Sequence, residues 1–469
     1  MSRTAANGRP LRCLAVLHSG FLDDGGAVLN HMLLTALAEE SRVTLLTVGG
    51  VGDFGGVDVV ALAAGSRPGS VDRARAVLDG AIRGARPEDI GLPPDPRYFD
   101  VVVGSGWASG REANLLRAAF YPSAITANAL HMDPRALGAA LGDTARGRQV
   151  AGIHRDVFGE SDLVFAPGPK AARDVRSLLR GARPRCPPSV HELIPGVTVT
   201  TCAPARSGGA FELLMLGRVE DRNKGALDVA RAVVALRRRG YRDLRLTLRG
   251  VPAERVAPFQ AFMDGVTEGT GAVRVLPFTE DRARIEADID ACDALVVASE
   301  SEAYGLVAAE CAARGTPFLV ARGNGNGFAE LLSGPGGIAG AAGHRFVVED
   351  GGSVSSHGRR MGRGRRQAGP RHLVLAHAIA RLVDGYGRMT EHADAVRRSL
   401  SGYTPDHMAR AFAEAVRRTA SGVRSSTRQG PGGQLVGPAR CRPGRHRAHR
   451  IGSASGLGEP CAPSAPQPR

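Results

Sequence analysis

The chain has 469 residues, with 43% hydrophobic and 23% charged side chains, which is typical of a globular protein with two or three domains. No run of 18 apolar residues occurs, and the first 20 residues lack the pattern of a secretory signal, so we expect neither a membrane-spanning helix nor an export signal. A net charge of +15 by itself favours a nucleic-acid partner. However, 13 of those charges lie in two short stretches, 351–372 and 421–469, so the rest of the chain is nearly balanced.

Those two basic stretches are rich in Gly, Ser and Pro and have no apolar periodicity, which is typical of disordered segments that bind phosphates weakly at most. We therefore predict no specific nucleic-acid partner. The seven cysteines are scattered without a C-x-x-C pair, which favours a reduced, cytoplasmic protein. Arginine supplies 59 of the 61 basic residues, and only Lys170 and Lys224 are lysines. A lysine kept against this bias is a candidate for a functional point charge.

The first part of the chain alternates short apolar runs with Gly-containing turns and amphipathic stretches, which predicts parallel strands joined by helices. An apolar periodicity at 29–37 predicts the first helix. Residues 183–210 are rich in Pro, Gly, Ser and Thr and read as a linker. The predicted strands are 12–18, 43–48, 57–62, 100–104, 124–129 and 162–166.

A second series of the same kind follows the linker, with strands predicted at 211–216, 244–249, 273–276, 294–298 and 316–320 and helices at 225–239, 255–265, 282–291 and 305–314. We expect the glycines at 323–327 to form a turn before Glu330. After 345 the pattern stops, and it resumes at 373–420 with two predicted helices.

Two such series predict an α/β protein with two doubly wound, Rossmann-like parallel-sheet domains. The first domain is predicted at 1–200 and the second at 208–385, with 351–372 as an irregular basic insertion. Residues 386–420 are predicted to form C-terminal helices that close back on the first domain, and 421–469 a disordered tail.

The segment 299–317 carries the strongest local signal. Gly305 opens a predicted helix directly after a strand, so its N-terminus lies at the carboxyl edge of the sheet, where backbone N–H groups can hold a phosphate. Glu302 precedes the helix and Glu310 lies inside it among apolar residues, where a carboxylate needs a partner such as ligand hydroxyls. The alternative is that Glu302 only complements the helix dipole and that Glu310 is solvated.

Two cations follow the strand 211–216. Arg218 begins the loop and Lys224 precedes the next helix, an arrangement suited to a diphosphate. The alternative is that both are surface charges paired with Glu220 and Asp221.

The first domain offers weaker signals. Gly25 and Gly26 open an amphipathic helix and allow close backbone approach to a ligand, although tight turns need glycine in any case. His131 follows the strand 124–129 and could contact a sugar hydroxyl or remain structural. Asp288 and Asp290 have D-x-D spacing but lie in a predicted surface helix, so we predict no metal site.

Taken together, these residues resemble glycosyltransferase family 4, the retaining nucleotide-sugar transferases of GT-B fold. The resemblance covers about 11–345 and returns at 373–420, where SGYTPDHMARAFAEAVRR resembles the closing helix. The basic stretch at 351–372 and the tail from 421 depart from the family pattern. The family motifs occur in order as Gly217-Arg218, Lys224-Gly225, Glu302, Gly305-Leu306, Glu310, Gly315-Thr316-Pro317 and Gly327-Phe328-Ala329-Glu330.

The resemblance implies that several motif residues of the second domain bind the phosphates of the donor. Arg218 and Lys224 would bind the donor diphosphate and stabilise the leaving nucleotide. The amides of Gly305 and Leu306 would cradle phosphate.

The resemblance also implies how the sugar is held. Glu310 would bind the ribose hydroxyls and Glu302 the donor sugar. His131 would lie near the transferred sugar on the acceptor side, and Gly25 and Gly26 would line the cleft from the first domain.

The implied activity is a metal-independent, retaining transfer of a sugar from a nucleotide-diphosphate donor, of EC 2.4 type. It uses no cofactor, and its acceptor is an unidentified glycan, lipid or small molecule. A lipid acceptor leaves peripheral membrane contact open. The alternatives are a catalytically inactive nucleotide-sugar or carbohydrate binder and a nucleotide-sugar epimerase of the same fold.

Overall fold

The computed structural model describes residues 9–18, 25–49, 53–62, 70–180, 187–200, 209–334, 337–350 and 370–428, with side chains as far as Val423. The predicted basic insertion is outside this range as far as residue 369, and the predicted tail is outside it from 429. Among the described helices, none combines the length and the apolar character needed to cross a bilayer.

The first domain is a seven-stranded parallel sheet with strand order β3-β2-β1-β4-β5-β6-β7. Its six leading strands match the predicted ones to within two residues. The strands are β1 (Arg12–Val16), β2 (Arg42–Val48), β3 (Asp58–Leu62), β4 (Val101–Gly104), β5 (Ile125–Ala129), β6 (Leu163–Pro167) and β7 (Ser189–Leu193).

Helices cover both faces of this sheet. They are α1 (Gly25–Ala38), α2 (Val71–Gly84), α3 (Gly106–Ala119), α4 (Pro134–Leu141), α5 (Thr144–Gly159) and α6 (Gly168–Leu179). Strand alternation divides the core: Cys13 and Ala15 of β1 pack on one face with α1, and Leu14 and Val16 pack on the other with α2 and α3.

The second domain is a six-stranded parallel sheet with order β10-β9-β8-β11-β12-β13. The strands are β8 (Phe211–Leu216), β9 (Leu244–Val251), β10 (Val273–Pro277), β11 (Ala294–Val297), β12 (Phe318–Ala321) and β13 (Val347–Val348). The helices that follow are α7 (Ala226–Arg238), α8 (Val256–Val266), α9 (Arg282–Ala291), α10 (Leu306–Ala313), α11 (Gly327–Ser333), α12 (Gly340–His344), α13 (Arg371–Asp384), α14 (Tyr386–Ser399) and α15 (Pro405–Arg428).

The C-terminal helices divide differently from the prediction. Met389, Ala393 and Val396 of α14 are buried in the core of the second domain. Only α15 packs on the first domain, where the Phe412 ring lies 5.2 Å from the Phe165 ring. The crossing back therefore begins after Leu400 and not at 386, because the apolar face of α14 is buried against the second domain.

Four further segments differ from the sequence prediction. Strand β7 lies in the predicted linker, where it pairs with β6 at the edge of the sheet. The expected turn before Glu330 is present at 323–324, but Glu330 itself lies in an unpredicted helix, α11, which is capped by the Asn326 side chain. Arg371, in the predicted irregular insertion, begins α13, and α15 continues to Arg428, eight residues into the predicted disordered tail.

The chain crosses between the domains twice, and the two crossings run side by side. The Val197 amide donates to the Tyr403 carbonyl at 2.8 Å. A side chain at Gly196 would collide with the backbone of Thr404 and Pro405, so glycine is required there.

Candidate active site

A cleft of about 2160 Å³ separates the carboxyl edges of the two sheets. Parallel strands with helical crossovers bring their connecting loops to this edge, so both domains contribute loops and helix N-termini to one cavity. All nine residues singled out from the sequence lie along it, namely Gly25, Gly26, His131, Arg218, Lys224, Glu302, Gly305, Leu306 and Glu310.

An ion pair between Lys224 and Glu302 lies at the centre of the second-domain wall. The Lys224 Nζ to Glu302 Oε2 distance is 2.8 Å, and the Ser299 hydroxyl donates to the same oxygen at 3.1 Å. Their side chains are 23% and 16% exposed, so solvent screens this pair less than a surface pair. Lys224 therefore pairs with a residue 78 positions away and not with the acidic residues of its own loop.

Asn223 holds the loops of Lys224 and Glu302 together, and sequence reasoning missed it. Its buried side chain donates to the Ser301 carbonyl and accepts from the Ser301 amide, both at 3.1 Å. Its carbonyl accepts from the Glu300 amide at 2.7 Å. A satisfied buried amide of this kind fixes the two loops relative to each other.

The charges around Glu302 lower the pKa of its carboxyl. Burial acts to raise it, but the Lys224 charge and hydrogen bond, the Ser299 hydroxyl and the Lys170 charge together outweigh burial. Glu302 is therefore ionised at neutral pH.

The N-termini of α10 and α1 face each other across the cleft. Gly305 adopts φ = +98° directly before α10, which presents the free N–H groups of the first turn to the cavity. A Cβ on Gly25, at the start of α1, would lie 4.0 Å from Leu306 Cδ1. The partial positive charges of the two helix N-termini thus face the same part of the cleft, and this arrangement favours binding of an anion there.

Glu310 lies in the same wall, and its partner is Arg282 of α9, which sequence reasoning did not identify. The Arg282 Nη2 to Glu310 Oε1 distance is 3.0 Å. Burial raises the pKa of Glu310, and the Arg282 charge opposes that rise. Glu310 is 13% exposed and Arg282 is 45% exposed, so the carboxylate is held in the wall while the guanidinium reaches solvent.

Arg218 is the most exposed of the predicted cations, with 60% of its side chain accessible. It pairs with Asp221 at 3.3 Å, and Glu220 pairs with Arg255 at 3.3 Å. In this conformation Arg218 therefore forms the pair with an acidic residue of its own loop that the sequence analysis gave as the alternative to phosphate binding. Its side chain nevertheless borders the cleft.

The first-domain wall carries glycines, histidines and an aromatic ring, together with charged side chains such as Arg146. His131 is half-buried after β5, and the Asp133 side chain caps α4 two residues further on. Behind it lies His154, which is 4% exposed and whose Nδ1 is 3.2 Å from the Val150 carbonyl. Burial lowers the pKa of His154 to about 4. Trp107 also borders the cavity.

The predicted D-x-D pair is taken up by arginines. Asp288 is paired with buried Arg249, and Asp290 is paired with Arg314. Within the described ranges, no group of three or more His, Cys, Asp or Glu side chains could hold a metal ion. Metal independence stays a prediction.

Two Rossmann-like domains, a cleft between their carboxyl edges and a closing C-terminal helix define the GT-B fold. Residues 14–412 match the family described as Family 4 Glycosyltransferase in conflict systems. The match spans most of the chain, so the protein belongs to this family, which confirms the resemblance found in the sequence.

Similar proteins agree with this assignment. D-inositol 3-phosphate glycosyltransferase of Corynebacterium diphtheriae is 27% identical over 241 residues, which is 48% of this chain and 55% of the relative. The chain thus spans about half the length of the curated relative that it matches.

Solved structures show the same fold. Sucrose-phosphate synthase from Thermosynechococcus elongatus has a TM-score of 0.66 at 15% identity, over 88% of this chain and 100% of that one. HepE from Anabaena, solved in complex with UDP and glucose, has a TM-score of 0.61 at 14% identity, over 87% and 99%. At these identities the likeness shows the fold alone.

Proposed function

We propose that the protein transfers a glycosyl group from a nucleoside-diphosphate sugar to an acceptor bound against the first domain, with retention of the anomeric configuration. The observation that carries this proposal is the placement of Lys224 and Glu302 in a cleft where the N-termini of α1 and α10 converge. The UDP found in HepE complexes agrees with a nucleoside-diphosphate donor.

The donor diphosphate lies between Lys224, Arg218 and the first-turn amides of α10. Glycosyl transfer builds negative charge on the leaving diphosphate, and cations and helix dipoles that are in place once the donor is bound stabilise that charge during the transfer. Lys224 turns from Glu302 towards the phosphate when the donor binds. Arg218, which is largely exposed, exchanges Asp221 for a phosphate oxygen.

The ribose and the transferred sugar bind to the two carboxylates of the same wall. Glu310 accepts hydrogen bonds from the ribose hydroxyls, and Glu302 from hydroxyls of the transferred sugar. Both carboxylates are largely buried, so a ligand hydroxyl that replaces water there is well held.

Transfer takes place on the face of the sugar from which the phosphate leaves. The bond from the anomeric carbon to the phosphate oxygen breaks, the bond to the acceptor oxygen forms, and the acceptor proton passes to the leaving phosphate. His131 borders this region from the first domain and stabilises charge near the transferred sugar.

The acceptor binds on the first-domain side. Trp107 and Arg146, whose guanidinium lies 5.8 Å from the indole ring centroid, offer an aromatic face and a cation. The name of the curated relative makes D-inositol 3-phosphate a reasonable first acceptor to test.

A cytoplasmic location agrees with the free thiols of Cys13, Cys292 and Cys311.

The test is a screen of UDP-, GDP- and ADP-sugars for thermal stabilisation and for turnover, with and without D-inositol 3-phosphate. The variants are Lys224→Ala and the control Arg222→Ala, which removes an exposed cation from the same turn outside the cleft. We expect one donor class to stabilise and turn over in the wild type and the control but not in Lys224→Ala. NMR of the product gives the anomeric configuration, and inversion would contradict the proposed route. Absence of both stabilisation and turnover with every donor would overturn the proposal.

A further inference from the structure

The only two lysines of the chain lie close to the loop that holds Glu302, and they come from different domains. Lys224 of the second domain pairs directly with Glu302. Lys170 lies on α6 of the first domain, and its charge acts on the same Glu302 carboxyl. In a chain that uses arginine for 59 of 61 basic residues, this coincidence calls for a physical reason.

Lys170 is a buried cation at the contact between the domains. Its side chain is 6% exposed, and its Nζ lies 2.8 Å from Asp174 Oδ2, one turn along α6. Its aliphatic stem lies against Gly325 of the second domain: a Cβ there would be 2.5 Å from Lys170 Cε. Gly325 also has φ = +128°, so glycine is required on both counts.

The loop that Lys170 packs on is the loop that positions Glu302. The Glu302 amide donates to the Gly325 carbonyl at 2.9 Å, and Glu302 pairs with Asn326 as a parallel bridge. Nearby, the Gly168 turn that begins α6 packs on Tyr304, with a Cβ position 3.2 Å from the ring. The first domain therefore supports the Glu302 loop directly.

We propose that Lys170 is a positioning residue that stabilises the Glu302 carboxylate when Lys224 turns to the donor diphosphate. This inference rests on the proposed function, in which Lys224 binds the diphosphate. Without Lys170, two anions would compete for the single Lys224 ammonium: the Glu302 carboxylate and the donor phosphate. With Lys170 present, Glu302 keeps a cation after Lys224 has left, so donor binding does not leave a buried carboxylate uncompensated.

A lysine suits this position better than an arginine. The space beside Gly325 accepts a narrow methylene stem, and the compact ammonium acts through its charge and not through a bidentate fork. Glu302 receives charge or a hydrogen bond from Lys224, Ser299 and Lys170. Removing Lys170 takes away one of these contributions and leaves the direct Lys224 contact in place.

The first experiment needs no ligand. The midpoint of thermal unfolding is measured for Lys170→Met, for Glu302→Gln and for the double variant. We expect the double variant to lose less stability than the sum of the two single variants, because the attraction between Lys170 and Glu302 is counted twice in the sum. The Lys170 contact with Asp174 is lost in both backgrounds and cancels. Additive midpoints would overturn the proposal.

Arg173→Gln is the matched control. Arg173 lies on the same helix and makes an interdomain ion pair of 2.5 Å with Glu330, but its side chain is 57% exposed. It should combine additively with Glu302→Gln, which separates the effect on Glu302 from a general loss of domain contact. Lys170→Gln replaces Lys170→Met if the latter does not fold, with the same expected result.

The second experiment measures the affinity for UDP, GDP and ADP by calorimetry. Lys170→Met should weaken binding of the nucleotide that the wild type prefers by about tenfold, and Arg173→Gln should not. In the Glu302→Gln background the effect of Lys170→Met should vanish, because no carboxylate competes for Lys224. The deficit should also shrink as the pH falls and Glu302 becomes protonated, which a purely structural role would not produce.

The outcomes separate this inference from the proposed function. If the wild type binds none of the three nucleotides, the proposed function fails and the thermal cycle still decides whether Lys170 acts on Glu302. If the wild type binds one of them and Lys170→Met binds it as tightly as Arg173→Gln does, the inference is wrong and the proposed function stands.

Discussion

The two walls of the cleft differ in how they are built. The second-domain wall consists of charged groups that pair across long sequence separations, such as Lys224 with Glu302 and Arg282 with Glu310. The first-domain wall presents glycines, histidines and Trp107 over buried His154, with charged side chains such as Arg146 beside them. The difference agrees with a division of labour: one wall stabilises a charged leaving group, whereas the other excludes water and shapes the acceptor site.

The largest expected effect tests that division. Lys224→Ala should lower turnover about 10²–10³-fold, because the leaving diphosphate loses a fixed cation. His131→Ala should lower turnover only about tenfold, the loss of about one hydrogen bond, since the proposed function places His131 beside the sugar and not on the diphosphate. Steady-state kcat/KM for the donor found in the screen gives both values. Equal losses in the two variants would break the comparison between the walls.

A second prediction concerns the pH dependence of the first-domain wall. Burial lowers the pKa of His154 to about 4, whereas an unfolded histidine titrates near ~6.5. Between these values the unfolded state binds a proton that the folded state does not, so stability falls with falling pH. The loss from neutral pH to about pH 4 is roughly 3 kcal/mol.

The free energy of unfolding in urea, measured at several pH values from neutral pH to about pH 4, gives this loss of stability. His154→Leu should flatten the pH dependence, and a change at exposed His377 should leave the wild-type slope. A slope in His154→Leu as steep as in the wild type would show that other groups cause the acid sensitivity.

A third prediction concerns the packing beneath the same wall. Gly106 has φ = +45°, and a Cβ there would lie 2.5 Å from His154 Nε2, so Gly106→Ala should destabilise the protein by about 2 kcal/mol. Gly152→Ala is the control: this glycine lies inside α5 with space around it and should stabilise by about 0.5–1 kcal/mol. Opposite signs of the two shifts in thermal midpoint are the expected result.

The smallest expected effect concerns Arg282. This guanidinium is 45% exposed, so its pair with Glu310 is worth less than about 1 kcal/mol, and Arg282→Ala should change donor affinity no more than a few-fold. Glu310→Ala should weaken donor affinity about tenfold, because ribose hydroxyls lose their acceptor. If Arg282→Ala is the more damaging of the two, the guanidinium and not Glu310 contacts the donor.

Local sequence patterns predicted the second-domain wall well. A strand, a glycine turn and a helix place Arg218 and Gly305 at the carboxyl edge of the sheet whatever the rest of the chain does. The first-domain residues Gly25, Gly26 and His131 follow strands in the same way, and all nine predicted residues line the cleft. Their roles in donor binding stay predictions.

Features that depend on distant contacts could not be predicted in this way. Strand β7 has a half-polar sequence and pairs only because β6 presents an open edge. The side on which α14 packs is decided by the second-domain core, and the contact of Lys170 with Gly325 joins two different domains. The scarcity of lysine is the one sequence signal that points to Lys170.

The most direct test of the account is a calorimetric titration of UDP, GDP and ADP into the wild type, Lys224→Ala and Arg222→Ala. The account predicts that one nucleotide binds the wild type and Arg222→Ala with equal affinity and binds Lys224→Ala at least tenfold more weakly. Equal affinity in Lys224→Ala and the wild type would contradict the claim that this cleft holds a donor diphosphate on Lys224.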